Sequence, residues 1–249
     1  MKKRLDTLLT EGGLFPSREQ AARAVRAGWI KVDGRPADKP GKPFPRDCSI
    51  EVLARPRYVG RGGDKLSGAL SDFGIEVKGK TAIDAGASTG GFTDCLLQSG
   101  AAKVFAFDVG RGQLAWTLRT DPRVELREKF NVRYLRPEDV GEQVDLAVAD
   151  LSFISLKKIL PALIPAVKGG GEILALIKPQ FEAPPCRVGK GGVVRDPEVH
   201  REVIDDIIRF ITGLGHKIAG VKESRLTGPA GNREFFIRVV VAGEDRDRG

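Results

Sequence analysis

Histidine is nearly absent from this chain, with only His200 and His216 in 249 residues. That scarcity argues against a His-rich metal centre and against Ser-His-Asp hydrolysis. Cysteine is equally sparse. Cys48, Cys95 and Cys186 lie far apart without metal-ligand spacing, so they read as thiols in a reducing compartment rather than a disulfide framework or a zinc site. No apolar run is long enough to span a bilayer, and Lys2-Lys3-Arg4 opens no signal peptide, so a cytoplasmic protein without membrane or metal is expected. No G-x-x-x-x-G-K-[ST] occurs, which removes a Walker-type nucleotide hydrolase. What remains is an ordinary globular composition, 41% hydrophobic and 30% charged, with room for one large domain or one medium and one small.

The net charge of +8 is unevenly spread. Residues 1–60 hold thirteen Lys and Arg against seven Asp and Glu; the remainder holds 28 against 26. A small basic module on a nearly neutral body points to a polyanionic partner, nucleic acid above all.

The stretch from Lys80 to Leu97 organises the rest. An apolar run ends in Asp84, a small-residue turn spans Ala85 to Gly91, and Phe92, Cys95 and Leu96 follow at helical spacing. Strand, glycine turn and amphipathic helix form the first unit of an open α/β nucleotide site, where glycines admit a ligand to the backbone and the helix start offers free N–H groups. Gly86 and Gly91 fit the outer positions of a dinucleotide fingerprint, but Ser88 replaces its middle glycine, which argues against NAD and FAD. An acidic strand end before such a turn suits a ligand with an amino-acid tail and a nucleoside, such as S-adenosylmethionine.

Residues 1–55 read as a compact α+β module. Leu5, Leu8 and Leu9 mark a first helix stopped by Gly12-Gly13; Ser17 with Gln20 opens a second, whose buried face is Ala21, Ala24 and Val25. Trp29 to Val32 reads as a strand with Trp29 in the core, and Asp33-Gly34 is a hairpin signal. A proline-rich loop, 36–45, leads to a strand over 49–53. Residues 56–63 read as a linker. Asp64 is then expected to cap a helix over 65–73, with Lys65 as a surface residue.

From residue 64 to 243 strands and helices alternate. Strands are expected at 103–108, 124–126, 144–149 and 172–177, a broken helix at 156–167, and an amphipathic helix at 198–212. Two final strands, 217–222 and 234–241, have no helix between them and should pair antiparallel. Residues 244–249 form a charged tail. Seven strands in this order predict a class I (Rossmann-like) methyltransferase fold, α/β with a mostly parallel sheet. Asp84, Asp108, Asp150 and Lys178 all fall at carboxyl ends of strands, where such sheets bind ligands, and an acid at Asp108 suits ribose hydroxyls.

Arg4-Leu5-Asp6, Ser17-Arg18 with its alanines, and Gly28 through Gly34 resemble the S4 RNA-binding domain. The resemblance places RNA contacts on Arg4, Arg18, Arg23, Arg26 and Lys31. Arg61 to Leu66, Asp84 to Cys95, Asp108-Val109-Gly110, Asp150 to Leu156, Ile177 to Glu182, Gly189 to Asp196 and Gly231 to Phe235 together resemble the TlyA (haemolysin A) family, which joins an S4 domain to an FtsJ-like 2′-O-ribose methyltransferase. That resemblance implies a Lys-Asp-Lys-Glu tetrad at Lys65, Asp150, Lys178 and Glu234. It implies S-adenosylmethionine at Asp84, Gly86, Ser88, Gly90, Phe92, Asp108 and Asn131, where Asn131 departs from the acid often found in FtsJ-like enzymes. The implied partner is ribosomal RNA or a ribosomal subunit, the implied target a cytidine ribose; the short run before Arg4 leans towards the form acting on the large subunit alone. A catalytically idle ribosome-assembly factor is the alternative. A cytolysin, which the family's name suggests, finds no spanning segment, and the helix at 198–212 suits covering a sheet.

Overall fold

The computed structural model describes residues 2–54 and 56–243; the charged run at 244–249 lies outside the described residues. Contacts divide the chain into two compact units that meet between Val59 and Gly60.

The first unit holds β1 (Lys2–Arg4), α1 (Leu5–Glu11), α2 (Arg18–Arg26), β2 (Ile30–Val32), β3 (Arg35–Pro36), β4 (Pro43–Pro45) and β5 (Ile50–Val52). The Ser17 hydroxyl accepts the Gln20 N–H at 3.3 Å and starts α2. Asp33 and Gly34 both take positive φ, +49° and +74°, as a two-residue hairpin requires. The hairpin pairs Val32 with Arg35, and β5 completes a three-stranded sheet; β1 and β4, the latter inside the proline-rich stretch, pair separately. Leu5, Leu9, Ala21, Ala24, Val25 and Ile30 form the core, and Trp29 packs against it.

The second unit runs α3 (Arg61–Phe73), β6 (Thr81–Ala85), α4 (Gly91–Gln98), β7 (Lys103–Phe107), α5 (Trp116–Arg119), β8 (Val124–Arg127), α6 (Pro137–Val140), β9 (Val144–Ala149), α7 (Leu160–Leu163), β10 (Val167–Ile177), α8 (Pro179–Glu182), α9 (Pro197–Gly213), β11 (Lys217–Glu223) and β12 (Phe235–Val240). The sheet order is β11-β12-β10-β9-β6-β7-β8. Strands β10, β9, β6, β7 and β8 are parallel; β12 lies antiparallel to both β10 and β11. This is the α/β, mostly parallel architecture that the alternation predicts. The central strands are near-continuous apolar runs because helices cover both faces. Ile83, Phe105, Phe107, Ala147, Ile173 and Ile237 sit in the resulting core, each at most 1% exposed, and each large side chain so buried contributes about 1.5–3 kcal/mol.

Two local expectations, on α3 and β10, need correction, and the broken helix expected at 156–167 is found. Helix α3 begins at Arg61, so 61–63 is its first turn rather than linker, and its N-cap is Gly60, not Asp64. The segment 156–167 breaks into two 3₁₀ turns around a single α-turn because Pro161 and Pro165 deny it amide donors. Strand β10 starts at Val167, with a register shift against β9 between Val167 and Glu172 where three glycines stand in a row. Among the described residues no helix is long and apolar enough to cross a membrane.

Candidate active site

Parallel strands bring their carboxyl ends to one rim, and the register fixes which residues meet there. Ala149 lies opposite both Ala85 and Ala175, and Ile177 opposite Phe235. The residues just beyond these pairs are Asp150, Gly86, Lys178 and Glu234. Lys178 and Glu234 thus extend neighbouring antiparallel strands past the same final pair.

The turn after β6 is shaped by close approach. Gly86 has φ +94°, and a Cβ there would lie 2.6 Å from the Asp150 carbonyl oxygen, so only glycine lets β6 and β9 finish side by side. Gly90 is the left-handed N-cap of α4. A Cβ on Gly91 would lie 2.9 Å from the Gly63 nitrogen, and one on Gly62 would lie 3.1 Å from the Phe92 ring. These glycines seat the first turn of α3 directly on the start of α4, and Lys65 follows on that helix, 6% exposed. Its ammonium donates to Glu234 Oε2 at 2.5 Å, and that carboxylate is itself 1% exposed.

The second lysine is at the same rim. Lys178 Nζ makes a 2.5 Å charge contact with Asp150 Oδ1, while its aligned hydrogen bond goes to Ser152 Oγ at 3.2 Å. Lys178, Asp150 and Ser152 share a cleft of about 190 Å³ with Gly62 and the 86–92 turn. Glu182 on α8 accepts from the Ser155 hydroxyl at 2.6 Å and the Leu156 N–H at 2.7 Å, tying the loop after β9 to the helix after Lys178. Burial raises the Glu182 pKa, partly offset by those two hydrogen bonds. Within the tied loop Phe153 has φ +62°, is 89% exposed, and faces Phe181 at 5.0 Å between ring centroids. An exposed aromatic in left-handed backbone is an uncommon and strained position, one residue beyond Ser152, which lines the cleft.

Of the residues expected to touch the cofactor, Gly86, Ser88 and Phe92 line the cleft; Gly90 does not, and caps α4 in left-handed backbone. Asp84 does not line it. Its side chain is wholly buried beneath the turn, where Oδ2 accepts the Thr93 hydroxyl at 2.6 Å and Oδ1 has no partner. Desolvation pushes its pKa to about 7, against the lowering by Thr93 and with help from the Asp150 charge. Asp108 accepts the Ser88 N–H at 2.7 Å and the Gly110 N–H at 2.6 Å, which anchors the turn to the end of β7. Asn131 is exposed and accepts the Arg133 N–H at 3.0 Å.

In the small unit the expected RNA cations differ in partners. Arg4 pairs bidentately with Asp6 at 3.0 and 2.7 Å, and Arg18 approaches the same carboxylate at 3.5 Å. The Arg4 hydrogen bonds pull the Asp6 pKa down to about 2 despite burial. Lys31 lies 3.9 Å from Glu51. Arg23 and Arg26 stand in the last turn of α2, half-buried and exposed respectively.

The sequence reading missed Gly62 and Ser152 as lining residues. Their motifs were legible, but which members of a motif face a cleft depends on the backbone.

An FtsJ-like methyltransferase family model matches residues 58–240, and an S4 domain model matches 3–46. The chain belongs to the FtsJ-like methyltransferase family. An S4 domain precedes its methyltransferase domain. The 16S/23S rRNA (cytidine-2′-O)-methyltransferase TlyA of Mycobacterium tuberculosis is 48% identical over 95% of this chain and 89% of its own. Hemolysin A of Brachyspira hyodysenteriae is 38% identical over 96% of this chain and the whole of its own. A solved hemolysin-like chain of Streptococcus thermophilus superposes with a TM-score of 0.77 at 42% identity, covering 97% of this chain and 89% of its own.

Proposed function

We propose that this protein transfers a methyl group from S-adenosylmethionine to the 2′-hydroxyl of a cytidine in ribosomal RNA, and that its S4 domain docks the RNA. The observation that carries the reaction is the pairing at one rim of Lys178 with Asp150 and of Lys65 with Glu234. The relatives named for rRNA (cytidine-2′-O) methylation supply the substrate class.

The residues present fit the cofactor. Gly86, Ser88 and Phe92 offer a glycine turn, a hydroxyl and an aromatic edge to the cleft. Asp108 uses one lone pair on each oxygen for a backbone amide and keeps the others for ribose hydroxyls. Asn131 offers an amide for an adenine edge. When bound, S-adenosylmethionine supplies an electrophilic methyl on its sulfonium.

The chain's own part is positioning and proton transfer. A ribose hydroxyl is a weak nucleophile until its proton has somewhere to go. Lys178, in its unprotonated form, accepts that proton. Asp150 and Ser152 hold the lysine's direction, and Glu234 holds Lys65 at the same rim. Phe153, exposed one residue beyond the cleft-lining Ser152, offers a stacking face to an unstacked base, a contact every nucleobase can make. Residues 1–55 form the RNA-docking module, and the catalytic domain follows.

The deciding experiment maps 2′-O-methyl sites on rRNA from cells with and without the protein. One cytidine whose methylation is lost without the protein and restored by wild type, but not by Lys178→Ala, is the expected result. An unchanged map, with purified enzyme inert on rRNA, leaves an assembly factor instead.

A further inference from the structure

Between α8 and α9 lies a glycine hairpin that methyl transfer, as described above, does not use. Gly189 donates its N–H to Val193 O at 3.1 Å, and Gly192 returns its N–H to Gly189 O at 3.1 Å. Gly191 and Gly192 hold φ of +78° and +74°, and a Cβ at Gly189 would lie 2.8 Å from Val193 O. Such a turn tolerates little but glycine. Its tip exposes Lys190 between glycines.

The base of the hairpin is bolted to the catalytic segment. Asn232, 2% exposed, accepts the Val194 N–H at 3.0 Å and donates to Gly192 O at 2.9 Å. His200, 3% exposed, meets Val194 O through Nε2 at 3.0 Å; since a carbonyl only accepts, Nε2 carries the proton. Asn232 stands two residues before Glu234, and the His200 ring lies 5.5 Å from that of Phe235. At its other end the hairpin continues from Lys178 through α8. A shift of the hairpin therefore bears on both catalytic strands.

Two cations mark this turn. Lys190 and Arg195 are exposed, and neither has an ion-pair partner among the described residues. The Arg195 guanidinium folds back so that Nη1 comes within 3.9 Å of where a Gly189 Cβ would sit. Arg187, nearby in sequence, differs: it is engaged by Asp196 at 3.5 Å and Glu202 at 3.4 Å. A turn kept only for shape has no need of an unmatched charge at its side-chain-poor tip, Lys190, and a second just past its base, Arg195.

We propose that residues 189–195 form a phosphate clamp, in which Lys190 and Arg195 grip the RNA phosphodiester beside the nucleotide being methylated. The proposal rests on the reading of this site as an RNA 2′-O-methyltransferase. A phosphodiester fits because the glycine tip admits it close to the backbone, lysine supplies a point charge and arginine a forked donor. Anchoring through Asn232 then registers the gripped phosphate against Glu234.

The test is the Lys190→Ala/Arg195→Ala double variant of the full chain, compared with wild type on the same rRNA. KM for RNA is expected to rise roughly tenfold, and the slope of log affinity against log salt to flatten by about 0.7 for each phosphate no longer gripped. Cofactor affinity by calorimetry should hold. Lys190→Glu alone should exceed Lys190→Ala in effect. Unchanged KM and unchanged salt slope in the double variant, beside an active wild type, overturn the clamp. A wild type that binds rRNA without methylating it overturns the reaction instead, and the salt slope of binding still judges the clamp.

Discussion

Lys65 and Glu234, 169 positions apart, form a 2.5 Å buried ion pair that fastens the helix preceding the sheet to the start of the last strand in the chain, β12. Little space surrounds the carboxylate, since a Cβ on Gly228 would lie 2.5 Å from its Oε1. Breaking such a pair leaves one charge buried and unmatched, which costs about 3–5 kcal/mol. Glu234→Ala is expected to lose stability of that order, and Glu234→Gln clearly less because an acceptor remains. Urea unfolding of the three proteins measures this; a Glu234→Ala protein within about 1 kcal/mol of wild type would show the pair to be solvated in solution.

If Lys178 takes the hydroxyl proton, as proposed, its chemistry cannot be replaced by its charge. Lys178→Arg keeps a cation near Asp150 but cannot give up its proton in the useful range. Methyl transfer should fall by at least about 100-fold, the lower end of what general base catalysis contributes. Binding of cofactor and RNA should persist. Near wild-type transfer by Lys178→Arg, measured with a radiolabelled methyl donor, would falsify the base assignment.

Much of this is legible in the sequence alone. Strand ends at Asp84, Asp108, Asp150 and Lys178 follow from apolar runs terminated by a charge, a local signal. The Asp33-Gly34 hairpin and the Ser17 cap are local too, and both formed. Lys65 illustrates what was not legible. Read alone it is a surface lysine on a first helical turn, yet it is buried. Its burial comes from glycine contacts between 60–63 and 91, some thirty residues away. The same packing turned three expected linker residues into helix. Asp84 fails in the opposite sense: the residue type and position suit a ligand contact, but β6 carries its side chain under the turn, where only Thr93 reaches it.

That buried carboxyl makes stability depend on pH. An ordinary aspartate titrates near 3.8, whereas Asp84 in the fold titrates near 7, chiefly through desolvation. Between those values the folded protein holds a proton that the unfolded chain lacks. The group's stabilising contribution is therefore complete below about pH 4 and is lost as the pH rises to about 7. Asp84→Asn keeps a neutral side chain throughout. Its unfolding free energy should decline less from pH 5 to pH 8 than that of wild type, in parallel denaturant titrations. Equal declines would place the Asp84 carboxyl in contact with water.

Phe153 is expected to matter for RNA and not for the fold. Its ring is exposed and its backbone strained, so Phe153→Gly should be neutral or stabilising in thermal melts. Base stacking on an aromatic is worth about 1–3 kcal/mol, a loss of roughly 5- to 150-fold in kcat/KM for rRNA. Phe153→Tyr should retain most of it. If Phe153→Ala methylates rRNA as wild type does, the exposed ring serves something other than the target base.

The S4 unit supplies the last test, because its cations are not equivalent. Arg4 and Arg18 converge on Asp6, so part of their charge is spent within the unit. Arg26 is exposed in the last turn of α2, which also carries Arg23. If this face meets RNA phosphates, Arg23→Ala/Arg26→Ala should weaken binding to all rRNA fragments alike, since phosphate contacts carry no sequence information. The slope of log affinity against log salt should flatten by about 0.7 for each phosphate released. Cofactor affinity, which belongs to the other unit, should not move. Arg4→Ala should instead act on folding, by releasing an Asp6 carboxylate that is 4% exposed and leaving Arg18 as its one cation. Fluorescence anisotropy across a salt series, with urea melts alongside, separates the two classes of arginine. A salt slope untouched by the double variant would move the RNA face of this unit away from α2.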